Sequence, residues 1–436
     1  MEQVAEFRSR LERTVFDPLL RTSNLYYLIV GGLALIVAWG GYAYKVQYEE
    51  GLIVTGMRDR LSWGLYIALS VFLIAISYGG TLTSAVLRIT QAGWRTPITR
   101  MAEFITVAAL STGVLFILID LGRPDRIHHI VLFARWQSPI IWDVLAITTY
   151  MIGSIIYLYV PLIPDLARCR DRLGDRVPEW KRQFFRAASL GWRDTPEQRR
   201  YLGIAMNLMM VLIIPVAIMV HSVLSWIFAM TLREPWDSPM FGIYFVMGAI
   251  FSGVAMVIII MAVLRRAFHL EEWITRKHFI YLGYLLAALA AVMVYFNLSE
   301  YLTEGYKVAG EVEFHLNQLF TGPLAPYYWS YALGGLVAPI LIILLPWTRT
   351  IAGTVAASVL VTMGMWIERY LIVVAGLRVP LMPYEPATYT PTWVEWSIMA
   401  GVFAAFALLL ALMLKVFPVM AIWEIEEEYE KEAAHP

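Results

Sequence analysis

The chain has almost no cysteine, little charge and no excess of either sign. One cysteine, Cys169, among 436 residues excludes a disulfide framework and an iron–sulfur cluster held by this chain's own thiolates. Charged residues make up 16%, against about 25% in an ordinary soluble domain. The 34 basic and 34 acidic residues cancel, which excludes a strongly basic nucleic-acid-binding surface and an acidic disordered chain. Of seven histidines only His221 falls well inside an apolar stretch, so a haem ligated by histidines from two helices is not expected. Phosphate-binding loops of the Walker type and the zinc motif His-Glu-x-x-His are also missing.

What is abundant is apolar surface: 59% hydrophobic residues, with 16 Trp and 24 Tyr. A bilayer core of about 30 Å needs about 20 apolar residues per helix. Ten stretches reach or approach that length without one Asp, Glu, Lys or Arg: 25–44, 62–87, 104–119, 144–163, 202–231, 240–264, 279–297, 329–346, 350–367 and 397–414. The pattern predicts an all-α polytopic bundle of about ten spans. Short alternating segments, the signature of a membrane β-barrel, are not seen. Residues 1–24 form an N-terminal segment, 25–418 the membrane domain and 419–436 an acidic tail, read as a solvated helical extension.

Ten spans place both termini on one side. Loops on that side hold 24 of the 34 Lys and Arg, and the positive-inside rule then makes that side cytoplasmic. Divided this way, the neutral chain has five net positive charges inside and five net negative outside.

Polar chemistry gathers in the outer connections. The third span ends Asp120-Leu121-Gly122-Arg123-Pro124 and the fourth opens Ser138-Pro139-Ile140-Ile141-Trp142-Asp143. Two carboxylates thus stand at neighbouring helix ends, with Arg123 within reach of one of them. A carboxylate in an apolar setting exchanges protons with a hydroxyl-bearing ligand; the plainer alternative is that Asp120 pairs with Arg123 and Asp143 caps its helix. His221 serves either as a packed bundle histidine or as a site residue. Ser77, Tyr78 and Thr81, with Ser111, Thr112, Thr148 and Thr149, suggest either helix packing or a polar path toward the cytoplasm. No charged residue is expected inside a span, so ion-pathway chemistry is not indicated. Glu368-Arg369 reads as an interfacial ion pair or a docking surface. The outer turn Glu234-Pro235-Trp236-Asp237-Ser238-Pro239 reads as a proline-rich connection.

Several segments together resemble the NrfD/polysulfide-reductase-type membrane subunits in their long, ten-helix form. They are Trp63-Gly64-Leu65-Tyr66, Gly80-Thr81-Leu82-Thr83-Ser84-Ala85, Trp94-Arg95-Thr96, Gly122-Arg123-Pro124, Ser138-Pro139 with Trp142-Asp143, His221-Ser222-Val223, Gly248-Ala249-Ile250-Phe251-Ser252-Gly253, Trp366 with Glu368-Arg369, and Pro391-Thr392-Trp393-Val394-Glu395-Trp396. The resemblance implies two four-helix bundles, the second to fifth spans (62–231) as the candidate quinone bundle and the sixth to ninth (240–367) as its counterpart. It implies a subunit of a quinone-linked respiratory or photosynthetic complex in the bacterial inner membrane, similar to the membrane subunits of alternative complex III. In such a complex menaquinol is oxidised near the outer face, and electrons pass to a docked iron–sulfur subunit. A second membrane subunit of the same family, cytochrome c, small membrane subunits and lipids are the implied partners. Asp120 and Asp143 fall on the family's site positions, as proton-exchanging catalytic groups; Arg123, His221, Tyr78 and Trp142 are the candidate quinone-binding residues.

The chain departs from quinol-oxidising relatives at two points. Asp120 stands where they often have histidine, and Tyr78-Gly79-Gly80-Thr81 stands where they often have His-Ala-Gly-Thr. Those departures keep open a second reading, a quinone-free structural or proton-conducting subunit of the same kind of complex. A third, a secondary transporter, would call for broken helices and a buried charged site.

Overall fold

The computed structural model describes residues 2–90, 92, 94–231, 233, 236–307 and 310–434. Glu234 and Pro235 of the proline-rich turn, and His435, lie outside the described residues. Among the described residues no β-strand forms; a single antiparallel bridge joins Arg58 and Leu61. Ten helices among the described residues are long and apolar enough to cross a bilayer, and the protein is a multi-pass membrane protein. The spans are Asn24–Glu50, Leu65–Ile89, Thr96–Asp120, Pro139–Tyr159, Pro196–Ala229, Phe241–Ala267, Arg276–Lys307, Ala325–Leu344, Ile351–Arg378 and Trp393–Val416. The eighth and ninth, close together in sequence, are separate helices.

Helix ends follow local chemistry. Ser23 accepts the Tyr26 N–H at the start of the first span. At the start of the fifth, Thr195 and Gln198 exchange side-chain and backbone bonds in a capping box, with Pro196 in the first turn. The eighth span is irregular: residues Ser330–Val337 form a π-helical stretch between two α-helical segments.

The second to fifth spans close one four-helix bundle and the sixth to ninth close another. The second span is the hinge between them, packing on the third and fifth in its own bundle and on the sixth and ninth across the divide. Nearly all of it is buried. Where it crosses the sixth span, Gly79 meets Gly253, and a Cβ on Gly79 would stand 2.3 Å from the Gly253 Cα. Only hydrogen at both positions lets the backbones approach this closely. The first and tenth spans form a separate pair; the tenth rests on the third, while the first stays peripheral.

Both termini lie at one end, here called the terminal side, with the distal side opposite. The N-terminal helix Glu2–Leu20 packs against the last helix, Ile422–Ala434, and Phe7 stacks on Tyr429 with ring centroids 3.7 Å apart. The acidic tail is helical as expected, but its first turns are not solvated. Ile422 and Glu424 are buried. Arg88 donates to both Glu424 carboxylate oxygens at 2.9 and 3.0 Å, and Arg95 adds a third bond at 3.0 Å. The tail folds inward because it supplies counter-charge to arginines that the second span and the following connection leave at the bundle end.

Burial opposes ionisation of Glu424, but the guanidinium groups of Arg88, Arg95 and Arg100 outweigh it and hold its carboxyl below the ordinary range. A folded-state value below the unfolded one, about 4.3 for Glu, contributes stability above that pH. The contribution is lost as pH falls through the folded value. Hydrogen exchange over 422–429, corrected for intrinsic rates, is therefore expected to show strong protection at pH 7 and weakened protection below about pH 4. Equal protection at both pH values would count against the ion-paired tail.

Candidate functional site

The first bundle places the sequence-predicted residues on four helices, Asp120, Trp142 and Asp143 at its distal end and Tyr78 and His221 deeper. Tyr78 lies on the second span, Asp120 ends the third, Trp142 and Asp143 lie near the start of the fourth, and His221 lies on the fifth. Tyr78 and His221 come together, their rings 4.5 Å apart. Both are fully buried, the Tyr78 hydroxyl has no partner, and neither His221 nitrogen meets a hydrogen bond of ordinary geometry. Trp142 packs against the same apolar cluster that contains Tyr78, and its Nε1 donates to the Trp136 carbonyl at 2.6 Å. Asp143 is 6% exposed with Oδ1 unpartnered, and Asp120 also has a buried, unpartnered Oδ1.

Arg123 is not brought to either acid. It forms a bidentate pair with Asp125, at 3.1 Å to each oxygen, on an exposed turn. Neither aspartate takes the plainer role: Asp120 has no arginine, and Asp143 sits inside a helix whose N-cap is Ser138. The charged side chain acting on Asp120 is instead Glu395, which sequence reasoning placed only in a motif. Glu395 is fully buried and accepts from Gly56 N at 2.7 Å, from Thr392 N at 2.9 Å and from the Tyr389 hydroxyl. Its signal was the Thr392-x-x-Glu395 spacing, a helix-start pattern that fixes the backbone but not what packs over it. Close by, Gln47 bridges the Tyr66 hydroxyl at 2.7 Å and the Ile119 carbonyl at 2.8 Å.

The polar string keeps Ser77 and Thr81 of the residues anticipated and otherwise runs through different ones. Ser111, Thr112, Thr148 and Thr149 each donate to a carbonyl one turn back on their own helix, and Thr148 and Thr149 face outward. The interior string is Tyr150–Thr81 at 2.7 Å, Thr81–Thr106 at 3.2 Å, and Thr106 to the Ser77 carbonyl at 3.1 Å. One turn further toward the terminal side, Ser84 donates to Glu103 at 3.0 Å and meets the Tyr157 hydroxyl at 3.2 Å. There the string enters a buried ion cluster: Arg88–Glu103 at 3.0 Å, Arg88–Glu424 at 2.9 Å and Arg100–Asp165 at 3.0 Å.

That cluster corrects the expectation of charge-free spans. The second helix runs through Arg88, the third begins at Thr96 and so includes Arg100 and Glu103, and the fourth continues through a tight turn into Ile163–Leu173, with Asp165. An apolar window ends at the first charge, whereas a helix continues past it when the charges neutralise one another. Glu368 and Arg369 are a second correction. They are 2% and 1% exposed rather than interfacial, because the ninth helix continues to Arg378 and carries them into the second bundle.

A pocket lies in that bundle, on the distal side. It holds about 650 Å³ of empty space, part of it open to the surface, and is walled by the sixth, seventh, eighth and ninth spans and the short helix Gly310–Phe320.

The pattern of apolar helices and motifs has a counterpart among known proteins. The model of the family described as "Polysulphide reductase, NrfD" matches residues 53–380. The chain belongs to the NrfD family. Relatives of this NrfD chain include a protein of Halobacterium salinarum named as a putative membrane subunit of a dimethyl sulfoxide reductase. It is 29% identical, over 90% of this chain and 91% of the relative. The Hdr-like menaquinol oxidoreductase integral membrane subunit of Archaeoglobus fulgidus is 24% identical over 92% and 96%. The menaquinone reductase integral membrane subunit of Nitratidesulfovibrio vulgaris is 24% identical over 87% and 88%.

Proposed function

We propose that this NrfD chain is the integral membrane subunit of a quinone-linked oxidoreductase complex, similar to alternative complex III, and handles menaquinol at the distal end of the first bundle. The names of two relatives, a menaquinol oxidoreductase subunit and a menaquinone reductase subunit, support the quinone link. The observation that carries the site is the set of buried polar atoms without a hydrogen bond of ordinary geometry: Asp120 Oδ1, Asp143 Oδ1, the Tyr78 hydroxyl and both His221 nitrogens. Buried polar groups are ordinarily hydrogen-bonded, so such a set within one bundle fits a ligand that completes it.

A bound quinol supplies two electrons and two protons. In this reading Asp120 and Asp143 accept the protons at their buried oxygens and release them to the distal side. His221, stacked near Tyr78, is positioned to hold a ring oxygen, and Trp142 walls the site. Arg123 enters only at the mouth, since its guanidinium is bonded to Asp125. In this reading the charge asymmetry supports the distal side as the outer face, and the membrane is a bacterial inner membrane. The electrons leave there for a docked iron–sulfur subunit, with a second NrfD-type subunit, cytochrome c, small subunits and lipids completing the assembly.

Replacing Asp143 by Asn in the intact complex is expected to lower quinol-dependent electron transfer about 10²-fold or more, the loss typical of one positioned proton acceptor. Steady-state turnover with a short-chain menaquinol analogue measures it, and unchanged turnover would overturn the site. The string from Ser77 to Glu103 favours a second reading, proton conduction by a subunit that binds no quinone. That reading expects unchanged quinol turnover in Asp143→Asn and slowed proton movement in Glu103→Gln.

A further inference from the structure

The first-bundle site leaves the pocket of the second bundle unused. Met240 and Phe296 in its lining are half-buried, and its walls are mostly apolar and aromatic. Glu368 stands in its lining, nine-tenths buried and more; neither carboxylate oxygen accepts a hydrogen bond of ordinary geometry, and the Tyr244 hydroxyl is the polar group nearest to bonding it. Its ion contact, Arg369 Nε to Oε2, is 3.4 Å long. The guanidinium lies over the Phe245 ring at 4.3 Å and its Nη2 donates to the Phe245 carbonyl at 3.3 Å, while Nη1 has no hydrogen-bond partner.

Beside Glu368 lies an ordered set of neutral groups. The Tyr244 and Tyr331 hydroxyls are 3.1 Å apart, and Asn297 Nδ2 donates to Tyr331 at 2.9 Å and to the Met293 carbonyl at 2.8 Å. Tyr331 is set by the π-helical stretch of the eighth span, an irregularity common at functional sites. Gly335 in that stretch touches Gly364 of the ninth span closely enough that neither tolerates a Cβ. The eighth helix is thereby pressed against the helix that carries Glu368. His315, on the short helix that covers the pocket, is held neutral by burial, its pKa lowered to about 4, and so presents a donor or acceptor without charge.

We propose that this pocket is a second quinol-binding site, in which Glu368 accepts a hydrogen bond from a ring hydroxyl. The proposal rests on the reading of the chain as a quinone-linked subunit but not on the first-bundle site. Its chemistry selects among occupants. Aromatic walls with one buried carboxylate and several neutral hydroxyl, amide and imidazole groups suit an apolar ring carrying two exchangeable oxygens. An anionic lipid headgroup would face Glu368 and Glu300, both in the lining. A cationic ligand would face Arg369, already 3.4 Å from the carboxylate.

The test is photolabelling of the purified full-length chain in lipid nanodiscs with an azido-naphthoquinone, with labelled peptides mapped by mass spectrometry. Label is expected in peptides covering 293–301 or 319–331, in addition to those around Asp143. Glu368→Gln is expected to reduce labelling of the second-bundle peptides about tenfold, and Leu371→Trp, which fills the pocket without touching the carboxylate, to abolish it. Asp143→Asn is expected to leave that labelling unchanged. Label at the second bundle with none near Asp143 would sink the first-bundle site and leave this one standing. An unlabelled second bundle in the unsubstituted chain overturns the proposal, as does labelling there that persists in both Glu368→Gln and Leu371→Trp.

Discussion

Replacing Arg88 by Met is expected to destabilise the protein by about 3–5 kcal/mol, the cost of leaving buried charge without its partner. Arg88 joins two acids from different parts of the chain: its Nη2 donates to Glu103 at 3.0 Å, and its Nη1 to both oxygens of Glu424. All three side chains are nearly inaccessible. Methionine matches the length of the stem but leaves Glu103 with Arg100 Nε at 4.0 Å as its remaining cation. Glu424 keeps its ion pair with Arg95 and the more distant charge of Arg100. Thermal unfolding in detergent, followed by circular dichroism, measures the loss. Adding Glu103→Gln to Arg88→Met is expected to recover part of it, because the orphaned charge is then removed. A single variant within about 1 kcal/mol of the unsubstituted protein would show that the cluster is neutralised some other way. Arg88→Lys is expected to fall between, since one ammonium cannot reproduce the fork that meets two carboxylates.

Gly253→Ala acts on backbone instead of charge. The added Cβ would lie 2.2 Å from the Gly79 Cα and under 3 Å from the neighbouring N and C atoms. No side chain can move aside to relieve that contact. The second and sixth spans would have to separate, and they join the two bundles. The cost is expected at or above the upper end of the about 1–3 kcal/mol usual for overpacking, and Gly253→Leu is expected to prevent accumulation of folded protein. Alanine at an open glycine of the first span, Gly31 or Gly32, with nothing within 4 Å, is the control and is expected to be neutral. Yield of monodisperse protein by size exclusion reads all of these, and a folded Gly253→Leu variant would contradict the crossing.

The ten spans were legible because each apolar run is long enough to cross a bilayer and is bounded by charge. The two bundles match what the family resemblance implied. The ends of the spans were not legible. Arg88, Arg100, Glu103 and Asp165 look like loop residues to a hydropathy window, yet they are helical and buried. Their partners come from sequence separations of up to 336 residues, which a local pattern cannot contain. The candidate site divides the same way. Tyr78 and His221 were nameable from motifs, and the fold puts them in contact. Arg123 was nameable too, but its short-range partner Asp125, two residues away, is geometrically easier to reach than either buried acid. Glu395 and Glu368 read as helix-start and interfacial residues until packing enclosed them.

By itself, then, the sequence determined the helical class, the number of spans, the placing of both termini at one end, and the family. Each of these follows from composition and period along the chain. Tertiary structure alone decided which acids are neutralised and which are left open, and where the pocket beside Glu368 lies. A carboxylate's fate depends on which helix crosses it and what that helix presents. In this protein paired glycines bring the helices close, and distant arginines decide which charges are satisfied.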